Sequence, residues 1–235
     1  MIRRTPAEKR CQETVTRRPS KYMKKDTRLI LALDVTSKEQ ALTLAEELQG
    51  YFDAIKIGYP LILSAGLCVV KEISAISQVI ADLKVADIPN TNRLICEAVL
   101  DAGASGIIAQ AFPGKDSLLA CKESASAFGA DLFVVTEMSH PGAHLFMAPL
   151  AEKMAHLAAE VDATGVVAPA TRPDRIRLIR SIIGDRTIIS PGVGAQGGSA
   201  AAALKAGADY LIAGRSIYEA KRPAESAERL LKTLQ

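Results

Sequence analysis

Eight apolar, β-branched runs recur along the chain at nearly equal intervals, and this rhythm restricts the fold more than any other feature. They read "LILALD", "AIKIG", "VIADLK", "GIIAQ", "DLFVVTE", "TGVVAP", "TIISPG" and "DYLIAG", starting at Leu29, Ala54, Val79, Gly106, Asp131, Thr164, Thr187 and Asp209. The intervals are 25, 25, 27, 25, 33, 23 and 22 residues, the length of one strand–helix unit. Runs without polar alternation suit strands covered on both faces, as in parallel sheets. The stretches between them are amphipathic. "SKEQALTLAEELQG" has Ser37 and Gln40 at capping-box spacing, closes on Gly50, and gathers Ala41, Leu42, Leu44, Ala45 and Leu48 on one side. "RPAESAERLLKTLQ" puts Pro223 in a first turn and Ala227, Leu230, Leu231 and Leu234 at helical spacing. Eight strands with crossovers and no dividing linker predict a single α/β domain, a (β/α)8 TIM barrel over residues 28–235. The alternative is a doubly wound open sheet, suggested by the G-x-G-x-x-G match of "GVGAQG", Gly192 to Gly197. A dinucleotide fingerprint expects an acidic residue about 20 positions further on. Gly214 and Arg215 stand there, so only an NADP 2′-phosphate on Arg215 keeps that reading open.

Hydrophobic residues make up 49% of the 235 residues, enough for one sizeable core, and the net charge of +3 does not by itself mark a nucleic-acid protein. That charge is unevenly spread: residues 1–27 hold nine basic and three acidic residues, a net +6, leaving −3 for the remainder. This segment lacks hydrophobic periodicity and reads as a disordered basic extension, with a transit peptide or a nucleic-acid arm as alternatives. No signal-peptide core follows it and no run of 18 apolar residues occurs, so a soluble, cytoplasmic protein without membrane or nucleic-acid partners is expected. Cys11, Cys68, Cys96 and Cys121 lack C-x-x-C spacing and read as buried thiols in a reducing compartment. His140 and His144 are four apart, but Pro141 and Gly142 intervene, so no metal site is expected there.

In a barrel, functional side chains gather where strands end and the following loops begin. Asp34, Lys56, Asp82 and Lys84 lie at the ends of the first three runs, with Asp87 in the next loop. Each alone reads as a solvated or salt-bridged residue. Four on three successive strands converge on one rim with alternating sign. Like charges 4 Å apart would repel by about 4 kcal/mol at an effective dielectric near 20, so alternation removes a large cost. It also keeps the lysines charged, and a charged lysine is a proton donor. A second cluster closes the last two runs: the Gly-rich "SPGVGAQGG", long enough for a lid, and "AGRS". Gly214 and Arg215 there suit a phosphate. In "TEMSHPG", Ser139 suits the polar edge of a ligand and His140 reads as a turn residue.

The combination of "LALD", "KIGYP", "DLKVADIPNTN", "TEMSHPG", "SPGVGAQGG" and "AGRSIY" resembles the orotidine 5′-phosphate decarboxylases, in particular their compact archaeal form, from about Arg28 to the C-terminus. The resemblance implies cofactor-independent decarboxylation of orotidine 5′-phosphate to UMP. It makes Lys84 the proton donor to C6 of the pyrimidine, places Asp82 beside the departing carboxylate, and completes the charge network with Lys56 and Asp87. It gives the ribose to Asp34 and Lys56, the base to Ser139 and Gln196, the start of the closing loop to Pro191, and the phosphate to Gly214 and Arg215. It implies a homodimer in which Asp87 and Thr91 reach the partner's site. Family members often carry "HGFPG" and "GPSTRP" where this chain has "AQAFPG" and "APATRP", so Gln110 and Ala170 depart from the pattern. The D-x-K-x-x-D element is shared with Mg2+-dependent sugar-phosphate decarboxylases and synthases, the nearest enzymatic alternative. A non-catalytic nucleotide sensor and an RNA-binding role for the basic segment are the alternatives outside catalysis.

Overall fold

The computed structural model describes Met23 and residues 25–234. Eight parallel strands close into a barrel in chain order: β1 (Leu29–Ala32), β2 (Ala54–Gly58), β3 (Val79–Val85), β4 (Gly106–Gln110), β5 (Asp131–Val135), β6 (Gly165–Val167), β7 (Thr187–Pro191) and β8 (Tyr210–Ala213), with β8 pairing back onto β1. The predicted (β/α)8 architecture is the one observed. The open-sheet alternative is excluded by that last pairing. Most of the basic segment 1–27 lies outside the described residues.

Two predicted strand starts are one residue early. Thr164 and Asp209 precede β6 and β8 and use their side chains as acceptors, Thr164 Oγ1 from Leu132 N at 3.2 Å and Asp209 Oδ2 from Ile188 N at 2.9 Å. They tie neighbouring strands together with these side chains as well as through the backbone, Thr187 N donating to Thr164 O at 3.1 Å and Asp209 N to Ile188 O at 2.9 Å.

Successive strand residues point to opposite faces, which produces two cores. Ile30, Ile80, Ile108, Phe133, Ile189 and Tyr210 fill the barrel interior, while Leu29, Leu31, Ile57, Ile107 and Leu132 belong to the outer cluster shared with the helices. The first helix, α1 (Lys38–Glu47), is capped by Ser37, whose Oγ accepts from Gln40 N, and it buries Ala41, Leu44 and Ala45. Two short helices follow β2, α2 (Tyr59–Ala65) and α3 (Cys68–Ser74); α4 (Pro89–Asp101) and α5 (Lys115–Ala127) follow β3 and β4. The long interval after β5 holds α6 (Ala143–Phe146), a 3-10 turn at Ala148–Leu150 and α7 (Ala151–Glu160). The circuit ends with α8 (Pro173–Ile183), α9 (Ala200–Lys205), α10 (Arg215–Tyr218) and α11 (Pro223–Lys232). Cys96 and Cys121 are buried between α4 and α5, as expected of thiols in amphipathic stretches, but Cys68 is exposed. It opens α3, whose Val69, Val70 and Ile73 take the core-facing positions.

Tyr210 Oη donates to Met23 O at 3.0 Å, and Met23 packs against the interior cluster at the N-terminal end of the strands. The charged strand-end residues are at the opposite mouth. No helix among the described residues is long and apolar enough to cross a membrane.

Candidate active site

The strand ends bring the four charges of β1 to β3 into a continuous chain. Lys84 Nζ lies 2.8 Å from Asp82 Oδ1, Lys56 Nζ lies 2.8 Å from Asp82 Oδ2, and Lys56 Nζ lies 3.5 Å from Asp34 Oδ1. The Lys56 and Asp82 side chains are each only 9% exposed, whereas Lys84 is 34% exposed and Asp34 36%. Lys84 is therefore the more accessible ammonium, and Lys56, which also lines the pocket, is the one shared by Asp34 and Asp82.

Burial alone would discharge both inner members of the chain. Desolvation pushes the Asp82 carboxyl upward, but the ammoniums of Lys56 and Lys84 outweigh it and hold the group below the usual carboxylate range. Desolvation likewise works to neutralise Lys56, and Asp82 and then Asp34 overcome it, leaving the amine raised above its ordinary value. Space for Asp34 is provided by Gly58: a Cβ there would lie 3.2 Å from Asp34 Oδ1.

Lys84 has a backbone feature its sequence does not announce. Its φ is +42°, and the pairing of β3 with β4 shifts register between Ala81 and Val85. A non-glycine residue in this region costs roughly 1–3 kcal/mol and is held there by its surroundings. The irregularity bends the strand end, as bulges beside functional sites do.

Across the mouth lie the Gly-rich loop and the start of α10. Gly192, Gly194 and Gly197 all have positive φ, and Gly198 N donates to Gly192 O at 3.0 Å, folding the loop back on itself. Gly192 sits where three loops meet: a Cβ there would lie 3.0 Å from Thr171 Cγ2, 3.3 Å from Gln196 Oε1 and 3.4 Å from Ser139 Cβ. Pro191, Gln196, Ser139, Gly214 and Arg215 line the same pocket as Asp34, Lys56, Asp82 and Lys84. Arg215 is exposed. Between the charged half and the Arg215 half runs an apolar floor of Ile108, Val135, Met138, Val167 and Ile212.

Two predicted site residues stand apart from this pocket. Asp87 is exposed and Thr91 half-buried in the first turn of α4. The Asp87 peptide is clamped, with its N–H donating to Asn92 Oδ1 at 2.9 Å and its carbonyl accepting from Ser117 Oγ at 2.8 Å. The two departures from the family pattern sit behind the wall. Gln110 is buried at the end of β4 with Nε2 4.0 Å from Met138 Sδ, and Ala170 N donates to Pro191 O at 2.8 Å beneath the Gly-rich loop. His140 is exposed in a turn, and His144 Nε2 meets Arg172 at 2.8 Å. Among the described residues no group of three or more His, Cys, Asp or Glu is placed to hold a metal.

The sequence reading missed the floor residues and Tyr218. Part of the floor was there to be found: Val135, Val167 and Ile212 are the last inward-facing positions of their strands, whereas Ile108 belongs to the interior core and Met138 lies in the loop after β5. Tyr218 lines the pocket, and burial, followed by the neighbouring Asp34 carboxylate, pushes its phenol up.

A charged, lysine-bearing half, an apolar floor and an arginine-and-glycine half together define a barrel enzyme for phosphorylated ligands with an apolar ring or body. More narrowly, the chain belongs to the orotidine 5′-phosphate decarboxylase / HUMPS family, whose model matches residues 27–230. It is 60% identical over 209 residues to the orotidine 5′-phosphate decarboxylase of Methanococcoides burtonii, covering 88% of this chain and 97% of that one. Against the enzyme of that name from Pyrococcus furiosus the identity is 49% over 207 residues, covering 87% and 96%. The crystal structure of orotidine 5′-monophosphate decarboxylase from Methanocaldococcus jannaschii, complexed with the inhibitor BMP, superposes with a TM-score of 0.85 at 43% identity, covering 91% of this chain and all of that one.

Proposed function

We propose that this chain decarboxylates orotidine 5′-phosphate to UMP, a step of de novo pyrimidine biosynthesis, in the cytoplasm and without metal or organic cofactor. The observation that carries the reading is the Asp34–Lys56–Asp82–Lys84 chain facing Arg215 across an apolar floor. The relatives' shared name supports it.

The pyrimidine ring rests on the floor, with Ser139 and Gln196 at its polar edges. Asp34 and Lys56 take the ribose hydroxyls, and Gly214 and Arg215 the phosphate. Breaking the C6–carboxylate bond releases CO2 and leaves the electron pair on C6 in the ring plane, where no π system spreads it. The Lys84 ammonium neutralises that charge and then transfers a proton to C6, forming the C–H bond of UMP and leaving a neutral amine that solvent reprotonates. Asp82 faces the departing carboxylate and, by accepting from both lysines, fixes where their charge lies. Enzymes lower barriers by up to about 23 kcal/mol, more than one oriented ammonium supplies. Phosphate contacts remote from C6 contribute by driving closure of the loop that starts at Pro191, so their binding energy appears in the transition state.

Asp87 and Thr91 complete a second copy's site in a homodimer. Next to them in the chain Ile88 (65%) and Leu94 (52%) are strongly exposed, apolar surface of the kind a protein interface covers.

Incubation with orotidine 5′-phosphate in EDTA, following ultraviolet absorbance and CO2 release, tests the reading. Turnover is expected. Activity that disappears with EDTA and returns with Mg2+ points to sugar-phosphate chemistry instead, and UMP binding without CO2 release to a nucleotide sensor.

A further inference from the structure

The loop between β5 and α7 carries Met138 and Ser139 into the pocket, yet of residues 138–150 only Ala143 is buried. Leu145 and Phe146 are 70% and 73% exposed. Beyond Ala143, apolar packing holds this loop at only two partly buried points, Met138 and Met147 against the interior cluster.

Polar anchors supply the rest, and they converge on one residue. Glu137 follows β5 and is wholly buried. Arg172 NH1 lies 3.2 Å from its Oε1, and Arg175 Nε donates to its Oε2 at 2.9 Å. Both guanidiniums reach onward to the loop. Arg172 donates to the Met138 carbonyl at one end and meets His144 Nε2 in the middle, while Arg175 NH2 donates to Ala148 O at 3.0 Å at the other end. A buried carboxylate that fixes two forked cations, each holding a different point of one loop, sets the position of that loop.

We infer that Glu137 is a positioning residue for base recognition: through Arg172 and Arg175 it holds Ser139 against the pyrimidine. The inference rests on the functional reading, in which Ser139 meets the base. Its consequence is selective. Losing the anchor weakens ligands that carry a base and spares those that offer only sugar and phosphate.

The test uses Glu137→Gln and, because removing a buried anion from two arginines can prevent folding, Arg175→Gln as a second variant at a partly exposed site. Affinities for UMP and for ribose 5-phosphate are measured by calorimetry, in wild-type and Ser139→Ala backgrounds. The expected result is about a 10-fold or greater loss for UMP, the size of one or two lost hydrogen bonds, with ribose 5-phosphate changed by less than about 2-fold. In the Ser139→Ala background the UMP loss should shrink to less than about 2-fold, because the two residues act through one contact. Equal losses for both ligands, or an undiminished loss in that background, overturn the inference and leave Glu137 a fold-stabilising group. Wild-type-like UMP affinity of Ser139→Ala alone overturns the base contact in the functional reading as well. Failure of wild type to release CO2 while these binding effects persist counts against the reaction alone.

Discussion

Asp82 is the residue on which the charged half turns, since it is the common partner of both lysines. Replacing Lys84 by Ala should reduce turnover more than about 10⁴-fold, because under the proposed mechanism the change removes both the proton donor and the charge opposite C6. Circular dichroism of that variant should remain that of a folded barrel. Asp82→Asn should instead cost stability, about 3–5 kcal/mol at neutral pH, because Lys56 keeps its burial and loses its nearer carboxylate. The folded-state pKa of Asp82 is depressed, so its stabilising contribution is present above the unfolded value near 3.9 and fades as pH falls through the folded value. Urea titrations should therefore show a wild-type advantage that is level between about pH 5 and 8 and shrinks below about pH 4. The alternating signs of Asp34, Lys56, Asp82 and Lys84 were legible as a pattern because period-two geometry sends strand-end residues to one mouth. The positive φ of Lys84 was not legible, since it arises from how β3 meets β4 and not from the local residue types. Glu137 was equally hidden: its two partners are 35 and 38 positions away in the chain.

At the scale of elements, the strands were readable because each is covered on both faces and so shows as an unbroken apolar run. The starts of β6 and β8 slipped by one because a side chain that caps a strand looks, in sequence, like a member of it. The Gly-rich loop was legible as a loop, but its contact with two others at Gly192 was not. That contact yields a prediction. Gly192 combines a φ of +107° with flesh on three sides, so Gly192→Ala adds strain of about 1–2 kcal/mol to the loop. We expect kcat/KM for orotidine 5′-phosphate to fall about 10-fold, with the thermal midpoint changed by only a few degrees. A large drop in the midpoint would instead make this glycine part of the barrel's general stability. The asymmetry follows from position, because the loop hangs on the mouth while the two hydrophobic cores lie beneath it and outside the strands.

The whole molecule poses a question that a single chain's sequence answers only by resemblance: what covers Asp87 and its apolar neighbours. The Asp87 peptide is held by Asn92 and Ser117, both buried, so its carboxylate is presented from a rigid mount although it lies outside its own chain's pocket. The proposed two-fold arrangement would account for this, since an isologous interface gives each site the partner's loop in exchange for its own. The arrangement makes a distinctive prediction for mixed assemblies. Lys84→Ala and Asp87→Asn should each be nearly inactive alone. Co-expressed and randomly paired, half the dimers are hybrids, and each hybrid contains one site with an intact lysine and an intact aspartate; activity should return to about a quarter of wild type. If Asp87 served its own chain, no pairing would unite two intact groups and the mixture would stay as inactive as its components. Sedimentation of the same samples separates that outcome from a failure to pair, because an unpaired barrel would sediment as a 25.0 kDa monomer.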